Sequence, residues 1–149
     1  MSTSDFPIRV PLGRARHAER PLVILAAVAA TALVWLVATT GLRLELSQPG
    51  FGTQAAETLS LWWVAAVAAI AGLAAWGMLA IIERRTRRAP MVWLIVSLVA
   101  LGLSLVGPMS GEGIDGANRL ALAAMHVAAG AVVIPLFYRS ARRRMELTS

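Results

Sequence analysis

Four apolar stretches, at residues 21–40, 59–82, 91–108 and 118–138, leave this chain of 149 residues little sequence from which to build anything else. The hydrocarbon core of a bilayer is about 30 Å thick, and a helix rising about 1.5 Å per residue crosses it in roughly 17–25 residues. Each stretch meets that length. Backbone groups in lipid must bond within the protein, so such stretches become helices. The predicted fold is all-α, an antiparallel four-helix transmembrane bundle.

Arginine placement sets the expected orientation. Arg9, Arg14, Arg16 and Arg20 precede the first stretch, and Arg84, Arg85, Arg87 and Arg88 separate the second from the third. Arg139, Arg142, Arg143 and Arg144 follow the fourth, while Arg43 and Arg119 occupy the two remaining connections. Twelve arginines on one side against two on the other is the bias that places short basic loops inside the cell. Both termini are expected in the cytoplasm, in a multi-pass protein of the cell membrane.

Composition removes several classes of function. Hydrophobic residues make up 58% of the chain and mean hydropathy is +0.69, above the range of soluble domains. The net charge of +6 lies at the ends of apolar stretches, which suits anionic lipid at the cytoplasmic face rather than nucleic acid. The absence of cysteine excludes disulfides, thiolate metal sites and thiol catalysis, and the absence of lysine excludes Schiff-base chemistry. The first apolar stretch is longer than the roughly 7–15 residues of a signal-peptide core, so it reads as an uncleaved helix.

The domain reading is a polar cytoplasmic tail at 1–20, a four-span membrane domain at 21–139 and a basic cytoplasmic tail at 140–149. Pro21 suits the first turn of a helix, where a missing N–H costs nothing. Trp35, Phe51, Trp62 and Trp63 are expected to form one interfacial belt, and Trp93, Phe137 and Tyr138 the other. Leu42, Leu44 and Leu46 alternate with Arg43 and Glu45, the pattern of a short extended segment, for which no partner strand is apparent. The break at residues 49–52 follows it. Ala65, Ala68, Gly72 and Ala75 form a small-residue stripe in the second stretch; Ala123, His126, Ala129 and Gly130 form another in the fourth. Such stripes let helix backbones approach in lipid.

Chemistry-bearing residues are few. His126 lies eight residues into the fourth stretch, roughly 12 Å deep at about 1.5 Å per residue. Ionisable groups at such depth face the protein interior or a watery cavity. One reading makes it interhelical glue, a neutral imidazole hydrogen-bonded to a free carbonyl or to a serine hydroxyl, with Ser97 and Ser104 at similar depth in the third stretch; the other makes it a proton-transfer or ligand-binding group. A metal or haem within one chain lacks further ligands, because His17 is in the tail and no carboxylate lies at matching depth. No cofactor, no metal and no catalytic residue is expected. Glu83 and the arginines after it read as a solvated interfacial ion pair of little energetic value. Arg119 reads either as a side chain reaching the outer interface or as an ion-pair gate with Glu112 and Asp115. Pro135 removes a backbone bond to Ala131 in the fourth stretch.

Trp62-Trp63, the stretch at 71–77 (Ala-Gly-Leu-Ala-Ala-Trp-Gly), Ile82-Glu83-Arg84, Ser104-Leu105-Val106-Gly107-Pro108 and Met125-His126 follow one another in that order. The order resembles a family of small actinobacterial four-helix membrane proteins catalogued as domain-of-unknown-function family 6069. The likeness covers residues 21–139 and rests on the order and spacing of these motifs. It implies four membrane helices and brings no activity, substrate or cofactor. It marks Trp76, Glu83, Ser104, Pro108 and His126 as positions to probe.

The functional expectation is a non-enzymatic accessory or interaction protein, partnered by the lipid bilayer, by further copies of itself or by another membrane protein. The alternative is a small oligomeric transporter or channel with His126 in a polar pathway. The first stretch holds Thr31, Thr39 and Thr40 but no carboxylate, which separates the chain from small proton-coupled exporters that need a buried acid there.

Overall fold

A computed structural model describes residues 13–48, 57–110 and 113–146, with the side chains of residues 13–18 left aside. Predicted features at 1–12, 49–56, 111–112 and 147–149, including the break at 49–52 and Glu112, lie outside the described residues. The chain is almost wholly helical. Its elements are α1 (Gly13–Leu36), a π-helical turn (Val37–Gly41), β1 (Ser47–Gln48), β2 (Glu57–Thr58), α2 (Leu61–Arg85), α3 (Ala89–Ser104), α4 (Val106–Ser110) and α5 (Gly116–Glu146). Four helical segments, Glu19–Gly41, Leu61–Arg85, Ala89–Ser110 and Gly116–Glu146, are long and apolar enough to cross a membrane.

Local chemistry accounts for most boundaries. The Ser60 hydroxyl caps α2 by accepting from the Trp63 backbone N–H at 3.2 Å. Pro90 sits in the first turn of α3, where its missing N–H leaves no bond unmade. The third span is two helices rather than one. Pro108 has no N–H to give to Ser104, and its ring crowds that carbonyl, so the helix breaks between Ser104 and Val106. α1 begins at Gly13, well before Pro21, because the segment 13–20 is rich in helix-forming alanine and arginine and its end has partners. Arg20 bonds Glu83, and Glu19 lies 3.8 Å from Arg143.

The extended segment expected at 42–46 does not form, since Arg43 takes a left-handed backbone (φ 54°) that interrupts it. The strand comes later and does find a partner: β1 pairs antiparallel with β2, Ser47 opposite Thr58 and Gln48 opposite Glu57. This ribbon marks one end of the molecule.

α1 packs most extensively on α5 and α2, and α3 packs on α5. Two buried clusters result. Near the ribbon, Ala38, Leu46, Val64, Ala121 and Met125 pack together. Toward the other end, Val23, Ile24, Leu79, Ile82, Trp93 and Phe137 form a larger cluster, in which Leu79 and Phe137 are fully buried. Trp93 and Phe137 meet edge-to-face at 5.6 Å between ring centres, and the Trp93 indole donates to the Ile134 carbonyl at 3.2 Å. These two aromatics are core residues, not the interfacial belt expected of them; their apolar area is worth more inside than at an interface. Trp62, by contrast, is exposed. Large apolar side chains such as Ile70, Leu73, Ile95, Leu103 and Leu120 cover the outer faces of the helices.

The small-residue stripe of α2 is a contact surface. Ala68 and Gly72 are buried, and a Cβ at Gly72 would stand 2.9 Å from the Ile24 side chain of α1. On α5, Gly130 faces Leu101 of α3 just as closely.

Candidate functional site

Between the ribbon and the larger cluster the helices leave an open cleft of about 360 Å³. α2 lines it with Trp63, Val64 and Ala68, and α5 with Leu122, Met125 and His126. Ser104, Gly107 and Pro108 border it where α3 gives way to α4, and α1 contributes Thr31. The break at Pro108 and the small residues Ala68 and Gly107 are what keep this space unfilled. Two predicted residues, His126 and Ser104, are thus brought to one site. Ser97 is not; it is buried elsewhere on α3 and bonds the Leu94 carbonyl of its own helix.

The predicted bond between His126 and a serine is not made. Nδ1 of His126 lies 2.8 Å from the Leu122 carbonyl of the preceding turn. Ser104 Oγ donates to the Leu101 carbonyl at 2.7 Å. Each side chain has a nearer partner in its own helix, a carbonyl three or four residues back, and that local bond removes the need for a cross-helix one. A carbonyl only accepts, so Nδ1 carries a proton in this contact. Nε2 has no hydrogen bond among the described residues, and no buried side-chain nitrogen or oxygen there lacks a partner. Nε2 is therefore accessible rather than sealed in the core.

Glu83 is a second polar centre. Its carboxylate, 5% exposed, accepts from Arg20 at 2.7 Å and from Arg144 at 2.8 Å. The expectation of a solvated pair is corrected here: the start of α1 and the ends of α2 and α5 meet around Glu83 and withdraw it from water. The Arg119 guanidinium donates to the Met109 carbonyl near the end of α4, and the Asp115 carboxylate caps α5 by accepting from the Asn118 N–H at 2.7 Å; the expected pairing with Glu112 lies outside the described residues.

Asn118 is a polar residue that sequence reasoning did not single out, and Thr31 one that it noted only as a threonine of the first stretch. Both are buried. Asn118 ties the ribbon to α5, accepting from the Ser47 N–H at 3.4 Å, and Thr31 donates to Ala27 at 2.8 Å. Asn118 stands in the first turn of α5, where a polar residue is ordinarily taken for a cap, and Thr31 looks like any threonine in an apolar helix. Among the described residues, no three His, Cys, Asp or Glu side chains come together as a metal ion would need.

The profile of DUF6069, a family of unknown function, matches residues 11–143. The chain belongs to that family. The match reaches into all four long helices and takes in the cleft and the Arg20–Glu83 pair, stopping one residue short of Arg144. No curated protein and no solved structure matches this sequence. Of the positions that the resemblance marked, Ser104, Pro108 and His126 converge on the cleft, Glu83 holds three helix ends, and Trp76 packs against the larger cluster.

Proposed function

We propose that this chain is a multi-pass protein of the cell membrane, an antiparallel four-helix bundle with both termini cytoplasmic, acting as a non-enzymatic accessory or interaction protein. The arginine distribution supports the orientation. The convergence of Arg20, Glu83 and Arg144 at one end, with the Trp35 indole donating to the Leu59 carbonyl at 3.1 Å at the other, supports the alternation of helix directions. The partners are the bilayer itself, anionic lipid at the cytoplasmic face, and a further copy or another membrane protein. Arg139, Arg142 and Arg143 border a recess with Tyr138 and Glu146, and three cations against one carboxylate suit anionic headgroups.

One observation carries the reading of binding over conduction. None of Leu79, Trp93 and Phe137 lines the cleft; each is at most 2% exposed and they belong to one buried cluster. Among the described residues, a recess rather than a through-path is the reading this supports. Thr31, Ser104 and His126, which border that recess, are bonded to their own helices rather than to one another, so these three assemble no nucleophile–base pair. The transporter alternative draws its support from the open Nε2 of His126 and needs a pathway shared between copies.

Proteoliposomes test the choice. With a pH-sensitive dye inside and an imposed proton gradient, vesicles carrying the protein should stay as tight as empty ones. A proton leak that disappears in a folded His126→Asn variant would replace this reading with the channel.

A further inference from the structure

The geometry points to a discrete lipid site on α5: one phospholipid with a singly charged phosphodiester headgroup, its phosphate against Arg139 and a chain laid along the exposed face of the same helix. This rests on reading the chain as a membrane-embedded protein that meets anionic lipid. It goes further by giving that lipid a place, a stoichiometry and a headgroup chemistry.

The place follows from the period of the helix. Pro135, Tyr138, Arg139, Arg142, Arg143 and Glu146 line one recess, and their steps of three and four put them on a single face of α5. The same face continues toward the middle of the helix. Four, eight and eleven residues before Pro135 come Ala131, Val127 and Ala124, all exposed and apolar. This apolar lane is about 16 Å long at about 1.5 Å per residue, and its two alanines leave room beside Val127. At Tyr138 the face turns from apolar to cationic. A lipid, with an alkyl chain and a charged head, presents the same two surfaces in the same order. A free phosphate ion would use only the cationic part.

Charge sets the headgroup. Arg142 stands 3.8 Å from Glu146, and Arg143 stands 3.8 Å from Glu19. The side chains of Arg139 and Tyr138 make no hydrogen bond or ion pair among the described residues. Three guanidiniums against two carboxylates leave one positive charge, at Arg139, and a phosphodiester carries one negative charge. The guanidinium fork of Arg139 can give a phosphate charge-assisted hydrogen bonds, and the Tyr138 hydroxyl is a further donor beside it. A zwitterionic headgroup brings its own cation and has no net charge to match. Arg84 and Arg85 are exposed too, but they do not line the recess, so they control for charge alone.

The experiment uses the full-length protein in neutral detergent, titrated with phosphatidylglycerol or with phosphatidylcholine of the same acyl chains. Native mass spectrometry counts the lipids that each chain retains. One phosphatidylglycerol per chain is expected, held more tightly than phosphatidylcholine. Arg139→Gln should weaken phosphatidylglycerol about fivefold, the value of one arginine at an anionic surface, and leave phosphatidylcholine unchanged. Glu146→Gln, which removes the carboxylate beside Arg142, should tighten it. Arg84→Gln with Arg85→Gln takes away two charges outside the recess and should leave the bound lipid in place. A loss in that double variant as large as in Arg139→Gln overturns the discrete site, and leaves standing a membrane protein that attracts anionic lipid diffusely. Equal retention of the two lipids by the wild-type protein overturns the anionic-lipid partner as well. Displacement of phosphatidylglycerol by an equimolar amount of glycerol phosphate overturns the lipid assignment in favour of a soluble phosphate.

Discussion

Glu83→Ala should be among the most damaging single substitutions in this protein. The carboxylate is 5% exposed and its nearer partner, Arg20, is 14% exposed, so removing it leaves a guanidinium largely out of water with no counter-charge. Breaking a buried pair from one side costs about 3–5 kcal/mol. Arg20 keeps some access to water, which places the expected loss near the lower end, about 3 kcal/mol. Arg144→Ala provides the comparison. Its side chain is 65% exposed, and an exposed pair is worth about 0–1 kcal/mol. Arg20→Ala should fall between the two, since Glu83 keeps Arg144. The double replacement Arg20→Leu with Glu83→Leu should recover most of the loss, because an apolar pair leaves no uncompensated charge. Unfolding in mixed detergent–SDS micelles, followed by helical circular dichroism, gives the four values. The reasoning fails if Glu83→Ala costs no more than Arg144→Ala, or if the double variant loses as much as the two single ones together.

Two further outcomes are expected. Gly72→Ala should destabilise by about 1–2 kcal/mol in the same assay, because the new Cβ meets Ile24, a β-branched side chain stiff at χ1, at 2.9 Å. Gly130→Ala meets the two terminal methyls of Leu101, at 2.9 and 3.2 Å, the far end of a side chain that can swing aside, and the helix-propensity gain of about 0.8–1 kcal/mol should leave it near neutral; equal losses at the two glycines would remove the distinction. For topology, reporter fusions after Ser149 and within residues 84–88 should read cytoplasmic, and those within 50–57 and 111–116 external. An external signal from the C-terminus would sink the four-span orientation.

The sequence was most readable where one physical requirement dominates. Apolar length announced the four long helices, and the glycine and alanine of the α2 stripe announced a backbone contact that Gly72 and Ile24 make. It was least readable where a local partner competes with a distant one. Helical face and depth brought His126 toward Ser104, and the two do share a cleft. Neither could reveal that each hydroxyl or imidazole would bond the carbonyl one turn back. Glu83 shows the converse. Flanked by Ile82 and Arg84 it reads as interfacial, yet its burial depends on Arg20 and Arg144, 63 and 61 residues away. Trp93 and Phe137 were misplaced because an aromatic near the end of an apolar stretch has the same hydropathy in a belt as in a core. The cleft itself is a space between helices, and no residue pattern encodes a space directly.

The preference of α1 for α5 has a consequence for how the molecule is made. Of the four long helices, the first to leave the ribosome has its most extensive contacts with the fourth. α1 ends at Leu36 and α5 starts at Gly116, so at about 5–20 residues per second the first helix waits roughly 4–16 s before its main partner starts to appear. Throughout that interval the α1 face carrying Val23, which belongs to the cluster completed by Phe137, lies open to lipid or to the insertion machinery. Arg144 arrives later still, two residues before the end of the described chain. Until it does, Glu83 has one arginine instead of two. Assembly is therefore late and cooperative: a chain released without its final helix loses the partner around which the other helices are arranged, and quality control has an exposed first helix by which to recognise it.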